Sequence, residues 1–112
     1  MSKIDTFKRD KYKSARGGYS RLLNLHCSNC DTIFAEYQKD GPGNLRRLYM
    51  DRIISPEKLV GLEKKNIKEV SPIRCPKCDT IVGMPYIYKK ENRNAFRVFQ
   101  DAIVKRIKKL KR

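Results

Sequence analysis

The sequence predicts a small α+β domain in which antiparallel β-hairpins carry a short insert helix and a C-terminal amphipathic basic helix, and three observations lead there. Two C-x-x-C pairs, Cys27/Cys30 and Cys75/Cys78, each lie between segments rich in β-branched and aromatic residues. Ser55-Pro56-Glu57 has the punctuation of a helix start, with Ser as cap and Pro at the first helical position. Phe96, Phe99, Ile103, Ile107 and Leu110 recur at steps of three and four, the spacing of one apolar helix stripe. The 112 residues suit one domain with tails; 39% are hydrophobic, 35% are charged and tryptophan is absent. Such a chain buries a modest core and needs a staple, a disulfide or a metal.

Taken in order, residues 1–20 predict a flexible basic arm, with little periodicity and a Gly17-Gly18 step. Phe7, Tyr12 and Tyr19 interleave with Lys8, Arg9, Lys11, Lys13 and Arg16, and Arg21 follows. Rings that stack on bases, set among cations that meet phosphates, suit RNA or single-stranded DNA. The alternative is a solubilising tail whose aromatics dock on the protein's own core. Residues 21–91 form the β domain. Leu22, Leu23 and Leu25 predict a strand before the first cysteine pair, and Ile33, Phe34 and Tyr37 one after it. Asp40-Gly41-Pro42-Gly43 is a tight turn by composition. Residues 44–54 fit either a helix or an alternating strand, and a returning strand is the preferred reading. The insert helix runs from Glu57 through Leu59 and Leu62 to about Lys65, with Asn66 ending it. Val70 and Ile73 predict a strand into the second pair; Ile81, Val82, Tyr86, Ile87 and Tyr88 predict one out of it. Residues 92–112 are the C-terminal helix, capped by Asn92 or Asn94 and packed on the domain through its stripe. Its last turns are loaded with Lys and Arg, which complements the helix dipole.

Charge points to partners. Lys and Arg number 27 against 12 Asp and Glu, a net +15. Residues 1–21 carry +5 and residues 89–112 carry +8, leaving +2 between them. Nucleic acid, RNA before DNA, is the expected polyanion. The expected contacts are Lys8, Arg9, Lys11, Tyr12, Lys13, Arg16, Tyr19 and Arg21 on the arm, with Lys89, Lys90, Arg93, Arg97, Lys105, Arg106, Lys108 and Lys109 toward the C-terminus. Arg46 and Arg47, beside the turn, extend that surface, whereas Arg52 beside Asp51 reads as an internal ion pair. No apolar run resembles a signal peptide or a membrane span, so a cytoplasmic protein without membrane contact is expected.

In that compartment paired cysteines bind metal more often than they form disulfides. The two pairs share a context, LHCSNCDTIF and IRCPKCDTIV, as two copies of one local structure would. Two facing knuckles supply four thiolates, the tetrahedral set that one structural Zn²⁺ favours. On these residues the chain resembles the zinc-ribbon family, two C-x-x-C knuckles each on a β-hairpin, over roughly residues 21–88. The resemblance implies Cys27, Cys30, Cys75 and Cys78 as ligands and no particular biological role. The 44 residues between Cys30 and Cys75 make a longer insert than in minimal ribbons. Iron in a rubredoxin-like site, a redox role for Cys75-Pro76-Lys77-Cys78, and His26 as a substitute ligand are the competing readings. Catalysis is not expected. Four ligand cysteines leave no thiol nucleophile, there is one histidine, and the glycines read as turn residues rather than a phosphate loop. The expected role is a non-catalytic nucleic-acid-binding protein, associated with a complex such as the ribosome or a polymerase; a zinc-ribbon adaptor between proteins is the alternative.

Overall fold

The computed structural model describes residues 10–12 and 20–108. Eight strands make two antiparallel sheets. They are β1 (Ser20–Cys27), β2 (Ile33–Asp40), β3 (Arg47–Tyr49), β4 (Ile53–Ser55), β5 (Ile73–Arg74), β6 (Ile81–Tyr88), β7 (Arg93–Val98) and β8 (Ile103–Ile107). The first sheet has the order β4-β2-β1-β8 and the second β3-β7-β6-β5. The chain passes from the second sheet to the first twice, each time through a single 3₁₀ turn, Met50–Arg52 and Gln100–Ala102.

The core lies between the sheets. Leu23 and Leu25 of β1 stand opposite Tyr37 and Ala35 of β2, and all four are buried. Across from them, Leu48 pairs with Phe96, both fully buried, and Val98 pairs with Gly83. One hydrogen bond ties the layers: the Tyr49 N–H donates to the buried Tyr37 hydroxyl at 2.8 Å. Gly83 is a strand residue, not a turn residue. A Cβ there would stand 3.0 Å from the Arg97 carbonyl oxygen and 3.1 Å from Ile73 Cγ2, so close packing of β5, β6 and β7 demands glycine.

The expected α+β class is corrected by this architecture, which is mostly β. Apart from helical backbone at residues 11–12, the helical structure among the described residues is single 3₁₀ turns. The C-terminal helix is instead strand, turn and strand. Its stripe is rich in β-branched and aromatic residues, which lose rotamer freedom in a helix and fit a pleated sheet. β7 fills a central place between β3 and β6, and β8 pairs with the edge of β1 that a helix would leave open. Phe96 is fully buried while Phe99 is 46% exposed and Ile107 58%, which no single helix face explains. Leu110 lies outside the described residues. Asn92 caps no helix; it takes a positive φ of 51° in the β6–β7 turn. Asn94 ties the sheet to the insert by donating from Nδ2 to the Lys65 carbonyl at 2.9 Å.

The insert helix is likewise corrected to three separate 3₁₀ turns, Glu57–Leu59, Leu62–Lys64 and Ile67–Glu69. Gly61 interrupts it with a left-handed φ of 91°, and Asn66 starts the last turn by accepting from Lys68 N. The strand reading of residues 44–54 is closer, but β3 and β4 belong to different sheets. The turn after β2 is where its composition placed it, with Gly41 and Gly43 at positive φ.

Candidate metal centre and the basic residues

Both C-x-x-C segments fold the same way. Cys27 N–H donates to the Thr32 carbonyl at 2.8 Å, and Asp31 N–H to the Cys27 carbonyl at 2.7 Å. The second copy repeats this with Cys75 to Thr80 at 2.9 Å and Asp79 to Cys75 at 3.0 Å. Asp31 and Asp79 both take a left-handed backbone, φ 63° and 64°, a conformation that short polar side chains tolerate. The shared C-x-x-C-D-T is thus a tight knuckle whose aspartate reverses the chain and whose threonine closes it. The first knuckle joins β1 to β2 in one sheet, the second β5 to β6 in the other. The candidate metal centre therefore sits where the two sheets meet.

The four sulfurs converge, all lying within 4.8 Å of one another. Cys27 Sγ is 3.6 Å from Cys78 Sγ, and Cys30 Sγ is 3.5 Å from Cys75 Sγ. A tetrahedral ion with sulfurs at ~2.3 Å needs edges of about 3.8 Å, so the cluster fits one such ion. A disulfide at ~2.05 Å does not fit these spacings. Cys27 and Cys75 are buried, and Cys30 and Cys78 are half-buried.

Hydrogen bonds prepare the outer sulfurs as thiolates. Asn29 and then Thr80 bond to Cys78 and lower its pKa to about 5. Thr32, through its hydroxyl and its backbone, lowers that of Cys30. The hydroxyls of Thr32 and Thr80 stand 3.1 and 3.0 Å from these two sulfurs. Burial pushes the Cys27 thiol up, which a cation in the cluster would reverse. His26 is not part of the cluster; its Nδ1 lies 3.0 Å from the Asp31 carbonyl oxygen, inside the first knuckle. Asn29, Thr32 and Thr80 were not among the residues the sequence singled out, although the repeated C-D-T carried the signal for the threonines.

The basic residues divide into two sets. Arg52 is 1% exposed and pairs with Asp40 at 2.8 Å and Asp10 at 2.6 Å, while its neighbour Asp51 is only 3.9 Å away. Arg93 is 5% exposed, pairs with Asp51 and Glu91, and is sandwiched between the Tyr12 and Tyr49 rings at 4.0 and 3.7 Å. At Tyr12 the arm thus docks on the protein's own sheet. Arg106 lies 3.5 Å from Asp31, and Lys108 pairs with Glu36. Arg21 is half-buried in β1 opposite Lys39. Lys11, Lys89, Lys90, Arg97 and Lys105 are exposed. Lys8, Arg9, Lys13, Arg16, Tyr19 and Lys109 lie outside the described residues. No helix among the described residues is long and apolar enough to cross a membrane.

Comparison with known proteins returned no match, whether to protein-family models, to curated proteins or to solved structures.

Proposed function

We propose that the chain is a non-catalytic zinc protein of the cytoplasm that binds nucleic acid, RNA in preference to DNA, as a small component of a ribosome- or transcription-associated assembly. The observation that carries the reading is charge. The net charge is +15, and four thiolates with one Zn²⁺ would lower it only to about +13. A four-thiolate zinc is coordinatively closed and leaves no position for water or substrate, so its role is to join the sheets. Binding through phosphates weakens steeply with salt because counterions are released. With ~6–8 phosphates neutralised, affinity for mixed single-stranded RNA falls by about two and a half to three and a half decades between 50 and 200 mM salt. Fluorescence anisotropy against RNA and DNA of matched sequence tests this. A salt slope near zero overturns nucleic-acid binding, and equal affinity for DNA removes the preference for RNA.

One observation favours an adaptor between proteins as a second reading. Ile33, Val104 and Ile107 are exposed on the first sheet, where β8 is an edge strand. A protein partner retained after nuclease treatment and 0.5 M salt supports the adaptor and counts against the first reading.

A further inference from the structure

The arginines of the second sheet do not all have counter-charges. On its outer face Arg47 of β3 stands directly opposite Arg97 of β7, which stands opposite Met84 of β6. Like charges directly opposite on neighbouring strands destabilise a sheet. Even so, among the described residues no carboxylate lies within ion-pair distance of Arg46, Arg47 or Arg97, in contrast to Arg52 and Arg93. The partners of Arg47 and Arg97 are tyrosines. Arg97 lies over the Tyr86 ring at 4.8 Å, and Arg47 over the Tyr88 ring at 4.1 Å. Arg47 Nε donates to the Tyr86 hydroxyl at 3.0 Å. Ala95, in register between Tyr49 and Tyr86, is small enough for side chains of β3 and β6 to meet above β7.

Arg46, Arg47, Arg97 and Tyr86 line one open depression together with the amides Asn44 and Gln100. Asn44 and Gln100 also line the adjoining depression, which ends at Lys105. The result is a track of four cations, with aromatic and amide groups between them and no acid among its lining residues.

We infer that this face is the site that takes a single-stranded nucleic acid, with successive phosphates on Arg46, Arg47 and Arg97, a base stacked on the Arg97–Tyr86 pair, and the strand leaving past Asn44 and Gln100 toward Lys105. The inference rests on the nucleic-acid reading above and supplies its contact surface. Flat guanidinium and tyrosine faces suit unstacked bases, whereas a duplex hides its base faces. Strands lie ~4.8 Å apart, so three of them span the reach of two or three nucleotides.

The test uses the full zinc-loaded chain and four fluorescein-labelled probes: U12 RNA, dT12, a 12-base-pair RNA duplex and a twelve-residue glutamate peptide. Both single strands bind more tightly than the duplex and the peptide, and the U12–dT12 comparison reads any RNA preference. Arg46→Gln/Arg97→Gln alters two exposed side chains. It weakens U12 binding about 10- to 30-fold at 0.1 M salt and lowers the salt slope by about 1.4, since each single-strand phosphate contributes ~0.7. Lys58→Gln/Lys68→Gln removes the same charge from exposed insert positions and leaves most of the slope. Tyr86→Ala, checked for retained metal, weakens binding about tenfold with little change in slope, because stacking releases no counterions. Steep wild-type binding that Arg46→Gln/Arg97→Gln leaves intact, or that the insert variant weakens equally, overturns the site alone. Duplex or peptide binding as tight as U12 overturns single-strand recognition. No salt-dependent binding to any probe overturns the site and the reading beneath it.

Discussion

Replacing Arg52 by Met removes a buried cation that pairs with Asp40 and Asp10. The Arg52 side chain is 1% exposed and that of Asp40 is 4% exposed, so the ion pair between them is shielded from water. Burial by itself raises the Asp40 pKa, yet hydrogen bonds from Ser20, Gln38 and Arg52 outweigh it and hold the carboxyl below its ordinary range. Burial opposes the charge on Arg52 too, and its bonds to Asp10 and Asp40 outweigh that, so it stays ionised. Removing one partner of a buried pair costs about 3–5 kcal/mol, because the remaining charge is left uncompensated. Asp40 keeps Ser20 at 2.6 Å and Gln38 at 2.9 Å, and Asp10 is partly solvated, so the lower end, ~3 kcal/mol, is expected. Against a total stability of about 5–15 kcal/mol this is a large loss. In urea titrations with zinc in excess, an m-value of roughly 1.5 kcal/mol/M places the midpoint about 2 M lower. Asp40→Asn/Arg52→Met should cost less than the two single changes summed, since the orphaned charge is gone. An Arg52→Met loss below ~1 kcal/mol, or strictly additive single costs, would show that Arg52 and Asp40 are not a shielded, coupled pair.

Three further outcomes follow from the same packing. Tyr37→Phe leaves the buried Tyr49 N–H without its acceptor and should cost about 1–3 kcal/mol in the same titration; no measurable loss would mean the hydroxyl is not the joint between the sheets. Gly83→Ala forces a methyl against the Arg97 carbonyl and Ile73 and should cost about 1–3 kcal/mol, whereas a neutral result would show that β6 can shift away from β5 and β7 freely. The Asp40 carboxyl titrates lower folded than unfolded, so its contribution is fully present above the unfolded value of ~3.9 and is lost as pH falls through the folded one. The stability gap between wild type and Asp40→Asn, which cancels metal loss common to both, should be constant from pH 5 to 7 and shrink below about pH 4. A gap that stays the same as pH falls from 5 to below 4 would contradict the assignment.

How far the sequence could be read depended on the range of the interaction. The knuckles were legible because their geometry is local: a C-x-x-C turn, an aspartate at positive φ and a threonine beside the sulfur recur within six residues. Convergence of the four sulfurs followed from the chemistry of thiolates. The C-terminal segment was misread because Phe96, Phe99, Ile103 and Ile107 satisfy a helical period by coincidence. Its conformation is set by long-range pairing, β7 with β3 and β6 and β8 with β1, and neither is visible in a short window. The insert was misread for a more local reason: a serine–proline start does not sustain a helix that meets Gly61 four residues after Glu57. The arginines show a third limit. Glu91 is a local partner of Arg93, but the other partners that bury Arg93 and leave Arg97 exposed come from residues 12, 49, 51 and 86, which the sequence near either arginine does not show.

The four converged sulfurs can hold one ion, and that ion would join the two sheets. Native mass spectrometry of the chain purified without added metal, followed by chelation under near-ultraviolet circular dichroism, tests it most directly. One zinc per chain and loss of tertiary signal on chelation are expected, because structural zinc contributes roughly 10–16 kcal/mol of apparent folding free energy. A metal-free chain that keeps its tertiary signal, with four thiols open to alkylation, would contradict it.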